Sequence, residues 1–440
     1  MKAVDPAMWS RSKELLALGA GILSHELKLS VRSRLTASAE KLASSEVTTR
    51  LAQAALVAES LGRLKGAFMK AGQLLSIDAS ELLPPEAQRL LSSLQSSAEA
   101  VDFAVMRQVL VEDLGEEKLA MFDALSAEAS ASASIGQVHR ARVHGLQVAV
   151  KIQYPGIRES IDADLDLVHT LVKGWLSVSR RPIDLRETFE ELKNILHLEA
   201  DYARERGYLE RFGELVADDP RFVVPQSLPR LSSSRVLTMT WEDGQALGAW
   251  IESAPPLAER ERLAEALLDL YCKEFFAWGL VQTDPNFGNF LVREGAREIV
   301  LLDFGATVSY DQAFRDGYIG LLRVLARGDD SAIVRAGVEN DLLDVREDEA
   351  TQRLFVALMR VSFEPFARPG RFSFSDTDYS QRSREVVMRF TQKLRFSPPP
   401  RRLLFLHRKL GGLFQLFKRL DVSLDLRPCW DRMIRAQPSG

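Results

Sequence analysis

Cysteine is nearly absent from this chain: there are two, Cys272 and Cys429, in 440 residues. So low a count excludes a disulfide framework and suits a reducing compartment. Histidine is scarce too, six residues with no ligand spacing, which argues against a structural zinc site. No apolar run reaches the roughly 18–20 residues that span a bilayer; the longest candidate, Leu15 to Leu23, is short and rich in glycine and alanine. The N-terminus has neither a signal-peptide layout nor the Arg/Ser-rich composition of a transit peptide. A large excess of charge of one sign is also missing. With a net charge of −4 and a pI of about 6.0, no nucleic-acid footprint is expected. No segment repeats.

What is present is concentrated in a few spacings. Asp284 is followed five residues later by Asn289, and fourteen residues after that by Asp303-Phe304-Gly305. In protein kinases an aspartate sits near the attacked atom and an asparagine five positions on holds one metal. The aspartate of an Asp-Phe-Gly turn holds the other metal against the nucleotide phosphates. The order and separation here make a nucleotide site the leading reading. Gln147-Val148-Ala149-Val150-Lys151 reads as a strand that ends in a phosphate-pairing lysine. Ahead of it, Ala131-Ser132-Ala133-Ser134-Ile135-Gly136 occupies the place of a phosphate-covering strand-turn-strand, with one glycine. Alanine and serine narrow the backbone options that glycine leaves open, so this loop is expected to be stiff. From Ile183 to Phe212 the composition is helical, with Leu185, Phe189, Leu192, Ile195 and Leu196 at three- and four-residue spacing. Its acids include Glu199, Asp201 and Glu205. Asp201 and Glu205 share a helical face. Glu199 and Asp201 point roughly 200° apart on an ideal helix, so one straight helix cannot aim both at one target.

With these residues in view, the chain resembles the UbiB/AarF atypical kinase-like family over nearly its whole length. Lys70-Ala71-Gly72-Gln73 is similar to that family's Lys-x-Gly-Gln motif, Ala131 to His139 to its alanine-rich loop, and Glu199-Ala200-Asp201 to its Glu-x-Asp motif. Gln282-Thr283-Asp284-Pro285-Asn286 with Asn289, and Leu302 to Thr307, resemble the coenzyme Q branch. The resemblance implies ATP and Mg2+ as cofactors, ATP hydrolysis as the activity, and a role in ubiquinone biosynthesis or lipid homeostasis. It assigns Lys151 to the phosphates with Glu205 as its ion-pair partner, Asn289 and Asp303 to the metal, and Asp284 to catalysis. It places Ala131, Ser132, Ala133 and Ser134 over the nucleotide. Lys70, Gly72 and Gln73, reaching Glu199 and Asp201, become a regulatory segment that shuts out protein substrates. The chain departs from the family at Ser132, usually alanine, and at Arg206-Gly207-Tyr208 after Glu205, where Ala-x-Asn is common. It departs again at Asn286-Phe287-Gly288, where many bacterial members have His-Pro-Gly.

The expected fold is α+β, two-lobed and protein-kinase-like with an N-terminal helical extension. Residues 1–125 form the extension, with helices over Met8–Leu29 and Val47–Leu75, 126–240 a small lobe with inserted helices, and 241–440 a helical large lobe. Ser234 to Met239 reads as the small lobe's last strand, leading to a hinge where Met239, Thr240 and Trp241 meet adenine. No Ala-Pro-Glu follows Asp303, so a long activation loop is not supported. Arg401 to Arg419 is a basic amphipathic stretch that describes either a large-lobe helix or a surface for an anionic bilayer; Met8 to Leu29 is the other membrane candidate. Expected partners are ATP, a lipid or quinone-precursor ligand, peripheral membrane contact and a biosynthetic protein complex. The expected location is bacterial and cytoplasmic, peripheral on the inner membrane. The alternatives are a nucleotide-binding switch without turnover and a true small-molecule or protein kinase.

Overall fold

The structure, a computed structural model, describes residues 101–435 apart from 134, 164, 167–168, 170–185, 285 and 394–400. Lys70, Gly72, Gln73, the two helices expected near the N-terminus, Ser134 and Pro285 lie outside the described residues. The rest falls into two units: residues up to Asp201 with Arg230–Leu237, and Tyr202–Pro229 with everything from Thr238.

In the first unit, helix α1 (Phe103–Leu119) buries Met106, Val109, Leu110 and Leu114, the stripe that three- and four-residue spacing produces. Asp102 caps it by accepting the Ala104 N–H at 2.8 Å. The helix packs on a sheet of order β1-β2-β3-β5, with β1 at Phe122–Ala133, β2 at Gly136–Val143, β3 at Leu146–Gln153 and β5 at Val236–Thr240. Asp113 of α1 accepts hydrogen bonds from Ser233 (2.5 Å) and Arg235 (Nε, 2.9 Å). Partial burial would raise its carboxyl, but the bonds from Arg235 and Ser233 outweigh it and hold the group below the usual range. The turn between β2 and β3 uses His144 and Gly145, both at positive φ (48° and 81°), as a two-residue hairpin turn requires.

The small-residue segment is less of a loop than expected. Ala131, Ser132 and Ala133 pair with Val138, Gln137 and Gly136, so they are the end of β1. Lys151 is likewise not at a strand end, since β3 runs on to Gln153. All six residues from Val148 to Gln153 are buried, which is why β3 shows no clean alternation in sequence.

The predicted single helix from Ile183 is two helices, α2 (Arg186–Glu199) and α3 (Tyr202–Leu215). The break falls at Ala200-Asp201, within the Glu-x-Asp motif, and the two helices belong to different units. Asp201 therefore precedes α3 and does not share a helical face with Glu205.

The second unit contains a sheet of order β4-β9-β8-β6, with β4 at Phe222–Val223, β6 at Gln245–Ala246, β8 at Phe290–Arg293 and β9 at Glu298–Leu301. A two-stranded ladder pairs β7 (Leu280–Gln282) with β10 (Thr307–Ser309). Its helices include α4 (Leu247–Glu252), α5 (Leu257–Cys272), α6 (Gln312–Arg327), α7 (Asp330–Glu339), α8 (Glu349–Ala367), α9 (Thr377–Lys393), α10 (Arg401–Arg419) and α11 (Arg427–Arg435). Helix α5 continues as one π-helical turn, Lys273–Trp278, closed by Gly279 at φ 67°.

The structure bears on two further sequence expectations. Cys272 and Cys429, 157 residues apart, are joined in a disulfide between α5 and α11. A pair so distant in sequence gives no local sign of its proximity, and the bridge stands against the reducing compartment read from cysteine scarcity. The basic stretch 401–419 is a helix whose Leu406, Leu413, Leu416 and Phe417 are core residues, at most 5% exposed. Those four side chains are thus unavailable to a bilayer.

Candidate nucleotide site

The spacing of Asn289 and Asp303 follows from one hairpin. Strands β8 and β9 pair Phe290 with Leu301 and Arg293 with Glu298, turning through Glu294, Gly295 and Ala296 at positive φ. The chain returns to its starting point, where the Leu302 N–H donates to the Asn289 carbonyl at 3.0 Å. Asn289 and Asp303 therefore flank the open end of the hairpin. Asn289 closes a short 3-10 turn, and its N–H donates to the Asn286 carbonyl at 3.1 Å. Its Nδ2 donates to Asp284 Oδ2 at 3.3 Å, which leaves the amide oxygen as the group's acceptor end. Asp284 is 5% exposed.

The Asp-Phe-Gly turn is fixed from several sides. The Gly305 N–H donates to Asp303 Oδ1 at 3.0 Å. Phe304 is buried against Phe212 of α3, ring centroids 4.8 Å apart. A methyl group placed on Gly305 would lie 3.4 Å from Asp303 Oδ1 and 3.5 Å from Glu205 Oε2. The Asp303 and Glu205 carboxylates thus flank the same glycine, and Glu205 is 1% exposed. The ladder brings the two motifs together: Gln282 pairs with Thr307, and Thr283 donates both its N–H (3.1 Å) and its hydroxyl (2.7 Å) to the Ala306 carbonyl. Strand β10 and then α6 follow directly, so no long activation segment intervenes.

In the first unit, Lys151 is buried on β3 opposite Val138, at 7% exposure. Gln153, fully buried two residues further on, donates Nε2 to the Ala200 carbonyl at 2.9 Å. The strand that carries the lysine therefore holds the centre of Glu199-Ala200-Asp201, and Glu199 is itself buried. Gln153 was not anticipated from sequence. Its signal is an amide at the buried end of a strand, next to apolar Ile152.

At the expected hinge, Met239 is buried, and the Trp241 indole donates to Asp243 at 2.9 Å. The Thr240 N–H donates to the Gln226 carbonyl at 2.8 Å, and its hydroxyl bridges the Gln226 N–H and Glu242. Thr240 is thus engaged inside the protein. Among the described residues no group of three or more histidine, cysteine, aspartate or glutamate side chains surrounds a metal position. The oxygen donors that converge at the hairpin are two aspartates and an amide.

The family model of the ABC1 atypical kinase-like domain matches residues 93–337. The chain belongs to the ABC1 atypical kinase-like family. The matched span contains Lys151, Glu205, Asp284, Asn289 and Asp303, and ends before α8 to α11. As an ABC1 atypical kinase-like protein the chain is similar to the mitochondrial atypical kinase COQ8B of Rattus norvegicus, 32% identical over 94% of this chain and 77% of that one. It is 32% identical to the mitochondrial atypical kinase COQ8 of Saccharomyces cerevisiae, over 84% of this chain and 73% of that one. The COQ8 of Schizosaccharomyces pombe is 31% identical over 86% of this chain, which spans 62% of that protein. A Mycobacterium tuberculosis protein solved in complex with erythromycin superposes with a TM-score of 0.60 at 24% identity, covering 91% of this chain and 100% of that one. At that identity the likeness shows the fold, which is kinase-like and α+β.

Proposed function

We propose that this ABC1 family member binds ATP with Mg2+ and hydrolyses it in support of ubiquinone biosynthesis or lipid homeostasis. The observation that carries the reading is the hairpin end: Asn289 and Asp303 side by side, with Asp284 hydrogen-bonded to Asn289 and Glu205 across Gly305 from Asp303. Two carboxylates flanking one glycine repel unless a cation or a lysine lies near them. Oxygen-only donors suit Mg2+, which takes one or two carboxylates and completes its shell with phosphate and water. In this reading Asp303 and the Asn289 amide oxygen hold the metal. When bound, Mg2+ neutralises phosphate charge. Lys151 pairs with the phosphates and Glu205 orients it. Asp284 sits at the nucleophile, positioned by the Asn289 amide.

Ala131, Ser132, Ala133 and Ser134 cover the phosphates, the first three bringing β-paired backbone in place of a glycine-rich flap. Met239 and Trp241 flank adenine, with Thr240 bracing the hinge. Lys70, Gly72 and Gln73, with Glu199 and Asp201, regulate access. The short path from Gly305 to α6 favours a small acceptor or water over a peptide. The curated relatives are named mitochondrial and COQ8, which supports the quinone pathway as the setting. No described helix is long and apolar enough to cross a membrane. With those four side chains of α10 buried, Met8–Leu29 is the segment we assign to membrane contact.

The test is a thermal-shift titration with MgATP alongside phosphate release, with and without anionic-lipid vesicles and a quinone-precursor phenol. Asp303→Asn is expected to abolish the magnesium-dependent part of the shift, because one charge at the metal is lost. Asp284→Asn is expected to keep the shift and lose turnover by about 10²–10⁴-fold. An unchanged shift for Asp303→Asn refutes the metal assignment.

A further inference from the structure

Helix α3 meets the Asp-Phe-Gly turn at three places. Phe212 and Glu205 are two of them. The third is Arg204, whose guanidinium lies 4.7 Å from the Tyr208 ring centroid. Its Nη1 donates to the Gly305 carbonyl at 2.9 Å and its Nη2 to the Thr307 carbonyl at 2.5 Å. One planar fork thus spans the carbonyls on either side of Ala306, whose own carbonyl is held by Thr283. Gly305 is the residue of this turn with the widest backbone freedom. Its N–H is fixed on Asp303 Oδ1 and its carbonyl on Arg204. A change in the Gly305 backbone therefore disturbs the bond to Arg204 and the bond to the Asp303 carboxylate together.

We propose that Arg204 is a positioning residue that sets the metal affinity of Asp303 through the Gly305 main chain, an assignment that rests on the nucleotide reading above. It touches neither metal nor nucleotide. It restricts the turn to the conformation in which Asp303 is already aimed, so that binding does not have to order the carboxylate. Lysine cannot replace it, because a point ammonium lacks the fork that reaches two carbonyls at once.

The test is Mn2+ titration by electron paramagnetic resonance with a non-hydrolysable ATP analogue, on the full chain and three variants. Arg204→Met is expected to weaken Mn2+ binding about tenfold or more, the scale on which groups behind a metal ligand act. Nucleotide affinity measured without metal should stay within about twofold, since no nucleotide contact is removed. Arg204→Lys should recover only part of the loss. Arg323→Met removes an arginine-to-carbonyl bond elsewhere in the same unit, to Ile434 at 2.8 Å. It should lower the melting temperature and leave Mn2+ affinity unchanged. Hydrogen exchange without ligand should be faster at Gly305–Ser309 in the Arg204→Met variant alone.

Mn2+ binding by R204M equal to wild type overturns the assignment, as does an equal loss in R323M. A wild-type chain that takes up no Mn2+ with nucleotide overturns the nucleotide reading, and the assignment with it. In that case the exchange data still report whether Arg204 holds the turn.

Discussion

The residues that sequence picked out and those it passed over differ in what they touch. The roles proposed for Asp284, Asn289 and Asp303 run through side chains whose identity states their chemistry, so order and spacing expose them. Gln153 and Arg204 act on main-chain carbonyls, which every residue has, so nothing in the target's sequence marks them. Gly279 belongs to the same hidden class. It closes the π-helical turn just before β7 at φ 67°, and its carbonyl accepts the Tyr310 N–H at 2.8 Å. A Cβ there would sit 2.8 Å from the Tyr310 carbonyl oxygen and 3.1 Å from Arg315 Nε. Gly279→Ala thus incurs both a left-handed backbone and a clash with main chain, and is expected to cost about 2–4 kcal/mol. Urea denaturation with urea-dependence m unchanged and a lower midpoint would show it; a loss under about 0.5 kcal/mol would mean the turn adopts another conformation at no cost.

Elements were legible where hydrophobic period alone decides them, and misread where a long-range bond intervenes. The stretch 183–212 contains no proline, so periodicity runs through Ala200 unbroken; at the break the Ala200 carbonyl is held by Gln153, 47 residues earlier in the chain. In α10 the helix was readable but the role of Lys409 was not. Its spacing from Leu406 and Leu413 puts it in the apolar stripe, yet charge alone assigns it to the basic face. It is 4% exposed, 3.4 Å from Glu274 Oε2 on the π-helical turn and 3.3 Å from Gln282 Oε1 on β7. Burial pushes the Glu274 carboxyl up, and the nearby Lys409 charge opposes that shift. Removing one partner leaves the other charge in the core, so Lys409→Met is expected to cost about 3–5 kcal/mol. The double variant Lys409→Met/Glu274→Leu removes both charges and should regain most of that loss, as buried pairs replaced by apolar groups commonly do. A denaturant series on both variants decides it, and a single variant as stable as wild type would mean the pair contributes nothing.

At the scale of the whole molecule, the kinase-like fold and the family were legible because five motifs fall in one order along the chain. The Lys-x-Gly-Gln motif around Lys70 lies outside the described residues. What sequence could not supply were the contacts that close long loops, since proximity across more than a hundred residues leaves no local pattern. Arg235 binding Asp113 in the first unit is one, and the Cys272–Cys429 bridge in the second, across 157 residues, is another. Cross-linking residues that far apart restricts the unfolded chain far more than the folded one, which is worth about 2–4 kcal/mol in typical cases. Cys272 and Cys429 are 7% and 2% exposed, so serine at either place also puts a hydroxyl into the core. The double variant Cys272→Ala/Cys429→Ala avoids that and isolates the cross-link. It should melt below the oxidised wild type, and dithiothreitol should bring the wild type down to the variant while leaving the variant unmoved. Thiol titration in denaturant without reductant supplies the independent arm: no free thiol is expected in the wild type. Two free thiols, with a melting temperature indifferent to reductant, would mean that the bridge does not form and would restore the reducing compartment read from cysteine scarcity.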